Sequence, residues 1–155
     1  RGRGVTAVVR SGSFSYTAQA PASVEAAMAL LGDLTRQGEL HPLIVAVEER
    51  PAAAGALVSY RITDRLRWGP FTFPIVYDAD VLERTDSTLH MTARQAPSTT
   101  VDNRTTVTAV DGGVRVEVHI TLSAPTLLFG YAFRQARAAH LELGARIARA
   151  LGAPL

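Results

Sequence analysis

The side chains with the most chemical capacity in this 155-residue chain are its four histidines and four tyrosines. One of them, His140, stands out by its surroundings. It sits in the stretch Pro125 to Leu151 (PTLLFGYAFRQARAAHLELGARIARAL). At about 100° per residue, Phe129, Phe133, Ala136, His140, Leu143, Ile147 and Leu151 fall on one narrow stripe. Arg134, Arg146 and Arg149 lie well off it, with Arg137 at its margin. That is the pattern of an amphipathic helix with one buried face, so His140 is a polar group in the middle of an apolar surface. With a reference pKa of about 6.5, an imidazole there can move a proton or orient a ligand. It can equally be a core histidine bonded to a sheet side chain or a carbonyl.

Other polar groups fall on the same side of the strands as the apolar residues. Tyr60 shares parity with Val58, Ile62, Leu66 and Trp68, and Tyr77 with Phe71, Phe73, Ile75, Ala79 and Val81. Their hydroxyls could aim at a bound carbonyl, or simply reach the rim of a core. Asn103 and Thr105 alternate with Val101 and Val107, and a buried amide there needs a partner. Asp64 shares the parity of Tyr60; since a lone buried carboxylate is costly, a strand end or bulge is expected at that point rather than a catalytic acid. Met91 and Trp68 could line or gate a cavity. His90, His119 and Arg94 have the wet parity, and His41 stands before Pro42 at a helix-to-strand corner.

Several chemistries are excluded outright. With no cysteine, disulfides, thiolate metal sites and a cysteine nucleophile are absent. All sixteen cationic residues are arginine, which removes Schiff-base lysines and the Walker phosphate loop. The histidines have no metal-ligand spacing, and no G-x-S-x-G elbow is present, so neither a metal nor a cofactor is expected. Net charge is only +2 despite a pI near 9.5; arginine holds its charge to high pH, so no nucleic-acid partner is inferred.

Composition, 47% hydrophobic and 19% charged, reads as a globular chain. No apolar run is long enough for a membrane span, and a cytoplasmic location is expected. Residues 1–12 read as a loose leader or the start of a first strand, with one domain over 13–155. Ser13 to Gln19 alternates as a strand. Pro21 suits a first helical position, and Ala22 to Leu31 carries a short amphipathic pattern. Asp33 is a plausible N-cap for a second short helix to about Glu39. Six strand patterns follow: Leu43 to Glu49, Ala56 to Trp68, Phe71 to Val81, Thr88 to Arg94, Val101 to Val110 and Val114 to Leu122. Pro74 in the third of these predicts an edge position or a bulge. Short turns between them predict an antiparallel meander with one dry face, which only the last helix is large enough to cover.

This order of elements, together with APASVEAAMALLGDLTRQGELHPLIVAVEE and VDGGVRVEVHITLSAP ahead of a long helix, resembles the START/Bet v 1-like (SRPBCC) superfamily, the polyketide cyclase/dehydrase and lipid-transport group. The resemblance implies an α+β helix-grip fold: a curved seven-stranded antiparallel sheet around the C-terminal helix, with two short helices after the first strand. It also implies an apolar cavity between sheet and helix for a hydrophobic small molecule such as a lipid, polyketide or isoprenoid. The candidate ligand-binding residues are then Tyr60, Tyr77, Met91, Asn103, Thr105, Phe133, Ala136 and His140. His140 is the candidate catalytic residue should the protein be a cyclase, aromatase or dehydratase. A third alternative is a chaperone-like module accepting a quinone or a protein.

Overall fold

The computed structural model describes residues 8–154, with Trp68 described through its backbone alone. Most of the leader lies outside the described residues, as does any gating role for the Trp68 side chain. The elements run in order as β1 (Val9–Ala20), α1 (Val24–Leu31), α2 (Leu34–Leu40), β2 (Ile44–Arg50), β3 (Val58–Trp68), β4 (Phe71–Arg84), β5 (Thr88–Gln95), β6 (Thr99–Val110), β7 (Gly113–Pro125) and α3 (Thr126–Ala150).

The sheet is fully antiparallel, in the order β1-β7-β6-β5-β4-β3-β2. Strands β2 to β7 form the expected meander, and β1 closes against β7 along its whole length, from Val9 opposite Pro125 to Ala20 opposite Val114. The alternation of β7 translates directly into burial. Val114, Val116, Val118, Ile120 and Leu122 are buried beneath α3 and the short helices, while Glu117 and His119 are exposed. This is the helix-grip fold.

Local signals place most boundaries. Helix α1 starts later than Pro21, because Ser23 is its N-cap and accepts from the Ala26 amide at 3.0 Å. A hydroxyl satisfies a free helical N–H, which proline at the first position cannot do. Asp33 caps α2 as its position predicts, accepting from Thr35 and Arg36. Pro74 is tolerated because β5 pairs with β4 only from Asp78 onward. Opposite Arg65 of β3, Pro74 lies on a free edge and misses no hydrogen bond.

Helix α3 is gripped along one side by β1. A Cβ on Gly144 would lie 2.8 Å from the Tyr16 ring, and one on Gly12 would lie 2.7 Å from the Phe129 ring. Between them, Phe14 meets Phe133 edge-on at 5.6 Å and Phe129 stacks on Phe133 at 5.3 Å. Two helix glycines therefore predict opposite outcomes. Gly130 has open space around its Cβ position, so Gly130→Ala should stabilise the protein by roughly 0.5–1 kcal/mol through helix propensity. Gly144→Ala gains the same propensity but must displace Tyr16, and overpacking of that kind costs about 1–3 kcal/mol. Urea unfolding should show Gly144→Ala less stable than the parent and Gly130→Ala more stable; equal stabilisation by both would contradict the packing of α3 on β1.

Candidate functional site

Beyond the β1 contact, α3 stands away from the sheet and a cavity of about 400 Å³ remains between them. Its floor is the inner face of β3 to β6 and Leu122 of β7, its roof is α3, and α2 with the His41–Ile44 turn closes one side. The walls are predominantly aliphatic, with a few polar groups converging on the space. Pockets of this size and character are those that hold small molecules.

The structure brings five of the eight expected ligand-binding residues to this cavity: Tyr77, Met91, Asn103, Ala136 and His140. Three are elsewhere. Phe133 faces β1 and belongs to the gripping contact. Thr105 is buried one position further along the sheet and donates to Asn103 Oδ1 at 3.1 Å, so it serves the amide rather than the cavity. Tyr60 is half-buried at the sheet's other end, where burial and then the carboxylates of Glu49 and Asp33 push its hydroxyl pKa up.

The helical wall shows why Phe133 is displaced. Leu128, Ala132, Gln135 and Ala139 line the cavity, one residue before Phe129, Phe133, Ala136 and His140 at each turn. Two parallel stripes therefore share the apolar face: the leading one looks over the sheet, the other sits on β1, and Ala136 and His140 lie where both reach the cavity. The signal was present in the spacing of four, three and four, but the polar Gln135 and the small alanines hide it from a hydrophobicity count. Tyr131, on the same wall, donates its hydroxyl to the Arg67 carbonyl at 3.2 Å and ties the helix to the end of β3.

Two histidines meet at the α2 side. His41 and His140 lie ring against ring, 5.5 Å apart and nearly perpendicular. His41 Nδ1 accepts from the Leu43 amide at 3.1 Å, so its neutral ring carries the proton on Nε2. His140 Nδ1 is shut away from solvent with no hydrogen-bond partner among the described residues. An orphaned lone pair is cheaper to bury than an orphaned N–H, which favours the proton on Nε2 in His140 as well. Burial pushes the His140 pKa down to about 4. Burial, then the neighbouring His140 and Arg146, push His41 down to about 3. Both rings are thus neutral hydrogen-bond donors near pH 7.

Asp64 is the polar residue at which a strand end or bulge is expected. The irregularity expected there exists, but it lies in the partner strand, where the β2 register shifts between Ile44 and Ala46 opposite Asp64 and Thr63. Asp64 itself stays on the inner face and lines the cavity. Tyr77 donates to its Oδ1 at 3.2 Å, and burial outweighs that bond and raises the carboxyl pKa to about 6. Arg94 borders the cavity too, but its Nη2 donates to Asp80 Oδ2 at 2.9 Å on the opposite face, where Asp80 also accepts from Ser59. Among the described residues no group of three or more His, Cys, Asp or Glu side chains gathers as a metal site would, and no helix is long and apolar enough to cross a membrane. The other two histidines belong to the outer face: His119 Nδ1 lies 2.7 Å from Ser15 Oγ, and His90 Nε2 2.6 Å from Asp102 Oδ1.

No family model and no curated protein sequence matches the chain. Solved structures do share its architecture. The di-domain ARO/CYC StfQ from the steffimycin biosynthetic pathway superposes with a TM-score of 0.71 at 13% identity, over 91% of this chain and 50% of that one; the chain spans half the length of that protein. Protein CV1439 from Chromobacterium violaceum gives 0.69 at 11% identity, covering 92% of this chain and 98% of that one. Ara h 8.0201 gives 0.59 at 15% identity, covering 89% and 98%. At these identities the likeness shows a shared fold, the helix-grip arrangement of sheet and C-terminal helix.

The carboxyl of Asp64 makes a prediction about stability. A folded-state pKa raised to about 6 means that ionised Asp64 disfavours the folded state above that pH, and that protonation relieves the penalty as pH falls toward the unfolded value. Asp64→Asn keeps an acceptor for Tyr77 without the charge. It should stabilise the protein at pH 7.5 by about 1–2 kcal/mol, and the gain should vanish by about pH 4. Denaturant unfolding at both pH values checks it; a loss of stability at pH 7.5 would mean that the charge is compensated.

Proposed function

We propose that the protein binds a hydrophobic small molecule, of the size and apolarity of a lipid, polyketide or isoprenoid fragment, in the cavity between sheet and α3. The observation that carries this reading is the cavity itself: about 400 Å³ of mainly aliphatic wall kept open by a helix whose packing is taken up on β1. Close-packed interiors do not keep space of that size without a use for it. Affinity would come from burial of apolar ligand surface at about 25 cal/mol per Å². Orientation would come from Tyr77, Asn103, His140 and Asp64.

The structural neighbours are compatible with this reading and also with the enzymatic one, since StfQ is an ARO/CYC protein. One observation favours chemistry, and it moves the acid-base role away from His140. An imidazole with a pKa near 4 is a weak base at neutral pH, whereas a carboxyl near 6 is well matched to proton transfer. In a cyclase or dehydratase using this cavity, Asp64 would move the proton, and the Nε2–H of His140 would polarise a carbonyl. A groove for a protein or quinone has no comparable support.

Binding is tested with the neutral apolar dye N-phenyl-1-naphthylamine. Its fluorescence should rise on saturable one-to-one binding, and Ala136→Trp, which fills the space under α3, should weaken the dye by about tenfold or more, equivalent to ~1.4 kcal/mol. Unchanged affinity in a variant with native circular dichroism would remove the dye, and the proposed ligand, from the cavity.

A further inference from the structure

We propose, resting on the reading that the cavity accepts an amphipathic small molecule, that the molecule it selects carries a basic amine held at Asp64, and that matching carboxylates are excluded. The inference comes from which charges face the cavity and which have been turned away from it.

Asp64 sits within the sheet, on the inner face, with one hydrogen bond among the described residues, the 3.2 Å donation from Tyr77. A carboxylate can accept about four, so most of its capacity is unused. Among the described residues no fixed cation is paired with it. Its cross-strand partners are Ile44 on β2 and Ile75 on β4. The adjacent Arg65 alternates to the outer side and is exposed. From β5, Arg94 commits its guanidinium to Asp80 across the sheet. From α3, Arg146 donates to the Leu40 carbonyl and to Glu142. The polar groups lining the cavity from α2, its C-cap and α3 are Gln37, the uncharged His41 and His140, Gln135 and Tyr131, whose hydroxyl donates to the Arg67 carbonyl.

Apart from Arg94 at its border, which is paired with Asp80, the described residues that line the cavity offer neutral dipoles and one group that takes negative charge, Asp64. An alkylammonium brings three N–H donors to an under-coordinated carboxylate, and inside apolar walls that attraction is less screened than in water. The ligand's charge supplies what the protein leaves out. A carboxylate ligand meets a like charge and finds neutral N–H and O–H donors and a guanidinium already bonded to Asp80, so its desolvation is poorly compensated. An alcohol falls between the two.

Decylamine, decanol and decanoate separate these cases, titrated by calorimetry below their micellar concentrations into the wild-type protein and Asp64→Asn. At pH 7.5 decylamine should bind about tenfold or more tightly than decanol, with decanoate weakest. An alkylammonium keeps its charge across pH 5–8, while Asp64 in the free protein takes up a proton below about 6. Decylamine affinity should therefore fall below pH 6, approaching tenfold per unit, while decanol stays level. Asp64→Asn should abolish the preference for decylamine over decanol. Decanol binding with no advantage for decylamine, decanoate binding as tightly as decylamine, or an amine preference that survives in Asp64→Asn would each overturn the inference and leave the apolar cavity standing. Failure of all three ligands to bind would overturn the cavity reading as well.

Discussion

The seat of α3 on β1 is the contact on which the rest of the structure depends. Gly144 lets the helix approach Tyr16, and Gly12 lets the strand approach Phe129. The Phe14–Phe133 and Phe129–Phe133 ring contacts fill the interval between them. Because β1 is the last strand beyond β7, a helix fixed there lies along one side of the sheet rather than over its centre. Curvature then lifts β3, β4 and β5 away from it. The cavity is the space that this off-centre attachment leaves.

The electrostatics of that space follow a consistent pattern. Arginines occur throughout the chain, yet the guanidiniums nearest the cavity are spent elsewhere: Arg94 on Asp80, and Arg146 on Glu142 and a helix-terminal carbonyl. The two histidines are held neutral by burial. What remains is Asp64, whose carboxyl is destabilised by the same apolar walls that would favour a ligand. A buried ionisable group with a single hydrogen bond is a cost to folding, and such costs cluster where a ligand or a reaction uses them.

Element order, strand parity and the amphipathic last helix were all legible in the sequence, because period-two and helical patterns report directly on which face is buried. Tyr77, Asn103 and His140 could be picked out for the same reason. Phe133 and Tyr60 show where parity stops being informative. It assigns a residue to a face of an element, but the cavity occupies only part of the inner surface. Which part is set by where α3 attaches, and that depends on Gly12 and Gly144, whose significance is a close approach no hydropathy pattern records. At Asp64 the sequence points to a strand irregularity, which lies in the partner strand opposite it, while its place in the cavity wall depends on where α3 attaches. A lone carboxylate on a dry face is costly, and Asp64 bears that cost in place, its carboxyl pKa raised by burial with the Tyr77 hydroxyl offsetting only part of it.

The central claim is that the space beneath α3 is a ligand site with His140 in its wall. Nitrogen-15 NMR of the imidazoles tests it most directly, following His140 while a neutral apolar ligand such as decanol is added at pH 7. The account predicts a neutral His140 ring, protonated on Nε2 in the free protein, whose Nε2 resonance moves in step with saturation of a single site, together with that of the adjoining His41. Imidazole resonances that stay fixed while the ligand binds would place the ligand elsewhere and contradict the account.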